Sequence, residues 1–182
     1  MKLLNRVCLY LSSFSPLFLL IIFKEIIEIL NNNWSLNFLN IFLLIVLFLL
    51  LNFGFWGLVY NLKSLKKMQG KRIKIINKNN TTDQHFLGYF SLFVLFAVTF
   101  EIEMYSMAII FFLVLIFIGV VYIKNDMYYI NPLLSLLGYS LYQVKMAEND
   151  GFIFNVFYKG ALKEGGEYLM VDKYKNFVML KN

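Results

Sequence analysis

Residues 36–78 read LNFLNIFLLIVLFLLLNFGFWGLVYNLKSLKKMQGKRIKIINK. The first part, Leu36 to Leu62, is almost wholly apolar. Lys63, Lys66, Lys67, Lys71, Arg72, Lys74 and Lys78 then follow with no acidic residue among them. Roughly 17–25 apolar residues span hydrocarbon as a helix, and loops rich in Lys and Arg stay on the cytoplasmic side. The stretch therefore reads as a transmembrane helix that ends in a basic cytoplasmic loop, residues 63–80.

Three further apolar stretches flank it: Val7 to Leu30, His85 to Phe100 and Tyr105 to Ile123. The connections expected on the other side, Asn31 to Ser35 and Glu101 to Met104, carry no Lys or Arg. The pattern predicts an α-helical membrane protein of four transmembrane helices, followed by a small cytoplasmic β-rich domain. Both termini would lie in the cytoplasm. The expected divisions are 1–126 for the transmembrane domain, 127–138 for an interfacial helix or linker, and 139–182 for the β domain.

Of 182 residues, 60% are hydrophobic and 19% aromatic, which excludes an ordinary soluble domain. The net charge of +6 is local, because the 63–78 segment alone supplies seven basic residues. Beyond Ile123 the chain has seven basic residues against six acidic ones. Cys8 is the only cysteine, so no internal disulfide is possible, and it reads as a small apolar side chain. No small-residue cleavage site precedes Lys24, and the first stretch reads as a retained helix rather than a signal peptide.

In that first helix Pro16 removes a backbone donor, giving a tolerated kink or a moving hinge. Near its outer end Lys24, Glu25 and Glu28 form an interfacial turn, with Lys24 and Glu28 at i,i+4. Glu101 and Glu103 fall on the same side, and together the four carboxylates are a candidate outer acidic rim. In the second helix Gly54 and Gly57 stand three apart rather than four, a weak helix-contact signal. Asn52, Ser12, Ser13 and Ser15 require non-lipid surroundings, which suggests a homo-oligomer.

The basic segment reads as a topology determinant held against anionic lipid, worth about 1 kcal/mol per basic residue. A docking surface for an acidic partner, or for nucleic acid near the membrane, is the alternative. Thr81-Thr82-Asp83 caps the third helix. His85, the only histidine, reads as an interface side chain.

After Lys124-Asn125-Asp126, Pro132 opens a short helix, Leu133 to Leu137, stopped by Gly138. The remainder alternates like sheet. Strands are expected at Tyr139 to Met146, Phe152 to Tyr158, Glu167 to Val171 and Phe177 to Lys181, with a turn at Glu148-Asn149-Asp150-Gly151. Its aromatics exceed what so small a core is expected to hide, which marks Tyr142, Phe152, Phe154, Tyr158 and Tyr174 as candidate partner-docking residues.

No catalytic motif is found: no glycine-rich phosphate loop, no nucleophile elbow, no His-Glu-x-x-His and no Cys-x-x-Cys. The pairs Glu101/Glu103 and Glu164/Glu167 are better explained as turn and loop residues than as acid–base groups. The expectation is a non-enzyme without cofactor or metal.

The stretches Gln84-His85-Phe86-Leu87-Gly88-Tyr89-Phe90 and Tyr122 to Val144, in this order of elements, resemble the KwaA family, the membrane subunits of the bacterial Kiwa anti-phage system. The resemblance implies a membrane-embedded, homo-oligomeric sensor, with a tetramer as the expected assembly. It also implies a cytoplasmic DNA-binding effector, KwaB, as partner, and the bacterial inner membrane as the location. Membrane lipids are the other expected contact, and direct nucleic-acid binding by this chain is not expected. A pore-forming effector or ion channel is the alternative that the same helices allow.

Overall fold

The computed structural model describes residues 3–31, 38–99, 105–147, 152–174 and 177–181, with Leu39, Gln84, His85, Tyr105 and Tyr174 as backbone only. Four long helices come first: α1 (Leu3–Leu30), α2 (Phe38–Lys67), α3 (Thr82–Thr99) and α4 (Tyr105–Lys124). Strand β1 (Lys71–Asn80) lies between α2 and α3. After α4 come the short α5 (Pro132–Leu136) and strands β2 (Ser140–Met146), β3 (Ile153–Tyr158), β4 (Glu167–Tyr174) and β5 (Phe177–Lys181). Among the described residues three helical stretches are long and apolar enough to cross a membrane: Leu3–Leu30, Asn40–Lys67 and Ser106–Lys124. The apolar part of α3, Phe86–Thr99, is shorter.

Helix α1 is the hub, buried continuously from Cys8 to Phe18. It runs against α2 through a seam of small residues. A Cβ on Gly57 would fall 2.3 Å from the Cβ of Cys8, and one on Gly54 would fall 2.8 Å from the backbone of Leu11. The two glycines, three apart, thus share the face that meets α1. Lipid supplies no hydrophobic drive between helices, so close backbone approach of this kind is what holds them. On α4, Gly119 takes the ring of Tyr10, whose Cε1 lies 2.9 Å from where a Cβ would be. The Tyr10 hydroxyl donates to the Leu115 carbonyl.

Pro16 sits inside an unbroken α1. Neighbouring hydroxyls bond back to the helix: Ser12 to the Leu9 carbonyl at 2.7 Å and Ser13 to the Tyr10 carbonyl at 2.6 Å. Ser12, Ser13 and Ser15 are all buried within one chain. They therefore do not require an oligomer to escape lipid. Asn52 donates to the Phe48 carbonyl at 2.8 Å, the ordinary way a lone amide is satisfied in a helix.

The five strands close into a barrel in the order β1-β2-β3-β5-β4. Neighbours are antiparallel except β3 and β5, which are parallel. This is the Greek-key arrangement of the OB-fold. Strand β1 serves both sides of the closure. Lys71–Lys74 pair with β4, and Ile75–Asn80 pair with β2 across a bulge between Ile75 and Asn77. A bulge bends and twists a strand, which lets one strand turn the corner of a small barrel.

The expected basic loop is thereby corrected. Lys63, Lys66 and Lys67 ride on the last turns of α2, and Lys71, Arg72, Lys74 and Lys78 lie on β1. The β-rich unit is discontinuous in sequence, since its first strand is separated from the rest by α3, α4 and α5.

Candidate interaction surface at the barrel end of the bundle

Every passage between helices and barrel lies at one end of the bundle. Arg6, near the start of α1, is ion-paired with Asp126 after α4 at 3.7 Å. Asp126 itself takes a left-handed φ of 50° and closes α4, with Met127 N–H bonding the Tyr122 carbonyl at 3.0 Å. Asn131 is the N-cap of α5; its side chain accepts from Leu133 N–H, and Pro132 occupies the first turn. The same side chain donates from Nδ2 to Ser12 Oγ at 2.7 Å.

At the other junction, Thr81 N–H bonds the Leu141 carbonyl at 3.0 Å, and Leu141 N–H bonds Thr82 Oγ1 at 2.8 Å. The start of α3 is thus sewn to β2. The end of α2 is held by Lys181 on β5, whose ammonium donates to the carbonyls of Lys66 at 2.8 Å and Met68 at 3.1 Å. A cation suits these C-terminal carbonyls, which lack intrahelical donors. Lys173 lies over the Tyr60 ring at 5.5 Å. Burial holds its pKa below the ordinary 10.5.

The barrel buries two faces. Ile73, Ile75, Tyr142, Val144, Met146, Val156, Tyr158, Tyr168, Val178 and Leu180 fill its interior. Leu141, Phe157, Val171, Phe177 and Met179 point outward into the core shared with the helices. The expected excess of aromatics is corrected on this ground. Tyr142 at 6% and Tyr158 at 9% exposure belong to the barrel interior and offer no docking surface, and Phe154 packs half-buried against them. Phe152 remains free for contact at 69% exposure, beside Ile153 at 58%. The side chain of Tyr174 lies outside the described residues.

The basic candidates Lys63, Lys66, Lys67, Lys71, Arg72 and Lys74 are all exposed, and they run from the end of α2 along the first half of β1. Lys74 pairs in register with Glu167 of β4.

At the opposite end of α1, Lys24 and Glu28 form the expected i,i+4 ion pair at 3.8 Å. Glu25, expected at an exposed interfacial turn, is instead buried within the single chain. It is 1% exposed, because it continues the buried stripe of Phe18 and Ile21 at helical spacing. Glu101 and Glu103 lie outside the described residues.

Long apolar helices gathered round α1, with a basic Greek-key barrel sewn to one end, define a helical membrane-type protein bearing a discontinuous OB-type domain. Residues 5–180 match the family described as anti-phage protein KwaA, and the chain belongs to that family. The Kiwa protein KwaA of Escherichia coli O55:H7 (strain RM12579 / EPEC) is 31% identical over 88 residues, which is 48% of this chain and 45% of that protein. The match thus covers less than half of that relative's length. No solved structure matches the chain.

Proposed function

We propose that this protein is the membrane-embedded sensor and scaffold subunit of a bacterial Kiwa anti-phage complex, and that its inner face recruits a cytoplasmic DNA-binding effector, KwaB. One observation carries the reading: both helix hairpins run into a single barrel. Strand β1 joins α2 to α3, and β2 follows α4 through α5. A shift of one hairpin against the other is therefore delivered to the barrel, where a soluble partner can read it.

In this reading all four long helices cross the inner membrane, with both termini and the barrel in the cytoplasm. The shorter α3 leaves the barrel at Thr82 and still reaches the far part of α4, where the Phe96 and Phe111 rings lie 5.3 Å apart. The exposed lysines of α2 and β1 lie at the boundary where anionic lipid and an acidic partner surface both compete for them. The chain acts as a non-enzyme and assembles with copies of itself, a point that rests on the family resemblance.

The pore-forming alternative is weakened by the polar groups of the interior. The hydroxyls of Ser12 and Ser13 bond α1 carbonyls, and Asn131 bonds Ser12, rather than lining a path.

The test is capture of purified KwaB by the full chain in lipid nanodiscs, at low and moderate salt. Replacing Lys63, Lys66, Lys67 and Lys71 by Gln should slow capture and flatten its salt dependence. Capture unchanged by the substitutions would place the docking surface elsewhere. Membrane depolarisation on infection without KwaB would favour the pore.

A further inference from the structure

Among the described residues, Leu141 and Phe157 are the side chains of β1, β2 and β3 that join the core shared with the helices, and the outward face beyond that rung is not part of it. Two cross-strand rungs lie on that face. One joins Asn77, Lys145 and Ile153, and the next joins Asn79, Gln143 and Asn155. Their orientation follows from the alternation of the pleat. Val144 and Phe154, between the two rungs, belong to the barrel interior. Asn77, Asn79 and Lys145 are exposed, and Gln143 and Asn155 are half-buried.

We propose that this face binds single-stranded nucleic acid. The charged side chains of its three strands are of one sign, and the carboxylate of Glu164 meets β1 from outside them, accepting from Lys78 N–H at 3.4 Å. Arg72 and Lys74 flank the rungs on β1 and Lys145 stands among them, while the described residues of the three strands include no carboxylate. Neither Lys74 nor Lys145 makes an ion pair among the described residues. Phosphates supply the matching charge. Glu167 faces Lys74 from β4, at the flank rather than within the rungs.

Four carboxamides distinguish the ligand further. Each presents donors and an acceptor, the combination that meets the edges of unpaired bases. An acidic peptide would use the lysines and leave these amides idle. A duplex would hide the edges that they reach. At one end of the face Phe152 and Ile153 stand exposed, an apolar surface on which a base can lie. Strands β2 and β3 are among the elements on which barrels of this topology carry oligonucleotides, although topology alone assigns no ligand. The proposal departs from the expectation that this chain binds no nucleic acid directly, and it goes beyond the effector reading, in which DNA is contacted by the partner.

The experiment uses the full chain in nanodiscs of phosphatidylcholine, without KwaB, so that anionic lipid does not compete. Fluorescence anisotropy follows a labelled oligo-deoxythymidine of about 15 nucleotides, within the range of site sizes for one barrel. Saturable, salt-dependent binding is expected. Lys145→Gln and Asn155→Ala should each weaken it about fivefold or more, as loss of a phosphate or base contact does. Lys145→Arg should retain it, and Lys163→Gln, off the face, should leave it unchanged. Circular dichroism melts verify that each variant keeps its fold. Absence of binding by the wild type would overturn the proposal. So would equal competition by poly-glutamate, which would assign the face to acidic proteins, or by duplex DNA, or equal weakening by Lys163→Gln.

Discussion

Asn131 donates a hydrogen bond to Ser12 at 2.7 Å across 119 positions of sequence. The same amide caps α5 by accepting from Leu133 N–H at 3.0 Å. One buried side chain therefore orders the helix that leads into the barrel and attaches it to the hub of the bundle. Detaching α5 from α1 would separate the two modules that the proposed sensing mechanism needs to couple.

Asn131→Ala should lower stability by about 2 kcal/mol, combining a lost N-cap with a lost buried hydrogen bond. Ser12→Ala should cost less, because the cap survives. Thermal unfolding of both single variants and the double variant in detergent measures the coupling. Strict additivity would show that the contact is not energetically real.

Gly57→Ala should be disruptive, since its Cβ would collide with that of Cys8. Overpacking of this kind costs about 1–3 kcal/mol. Cys8→Gly in the same chain should restore part of the loss. Gly88→Ala, with open space around it, should be neutral or slightly stabilising. Melting temperatures of the three variants check the order.

Lys181→Met should loosen the barrel from α2 at a cost of about 1 kcal/mol, because its two carbonyl bonds lie at an exposed site. The expected readout is faster amide exchange at residues 66–70, with the barrel interior unchanged. Faster exchange throughout the barrel would instead make Lys181 part of its global stability.

Lys173 links stability to pH. Its folded pKa lies below 10.5, so between that lowered value and 10.5 the unfolded chain binds more protons. Stability should therefore rise with pH through this window, relative to Lys173→Met, and the desolvation penalty is full below it. Paired melts at pH 8 and pH 10 test the sign. A wild-type advantage that shrinks at the higher pH would reverse the assignment.

Topology is tested in a Cys8→Ser background. Cysteine at Asn31 should react with an impermeant thiol reagent in intact spheroplasts, and cysteine at Lys163 should react only after lysis. The reverse pattern would invert the protein in the membrane.

Much of this architecture was legible residue by residue. Apolar length announces α1, α2 and α4, Asn131-Pro132 marks the start of α5, Gly138 with φ 82° marks its exit, period-two alternation marks β2, and a short apolar run marks β5. The basic candidates were found by charge and remain exposed. Lys24 and Glu28 pair as helical spacing demands. The misreadings concern Glu25, Tyr142, Tyr158 and β1. For the first three, the residue type says only that a side chain is acidic or aromatic, and burial depends on which neighbour covers it.

The sequence by itself determined which helices are long and apolar enough to cross a membrane and where most of the local elements lie, because hydropathy and pleat are properties of neighbouring residues. Only the tertiary structure decided that Lys71–Asn80 is a strand. Its hydrogen-bond partners are Ser140–Met146 and Glu167–Tyr174, across an inserted helical hairpin. A short run of lysines and isoleucines has no local reason to prefer a barrel to a loop. The preference arises when Ile73 and Ile75 find an apolar interior built by residues far along the chain, and when the backbone groups between them find partners there.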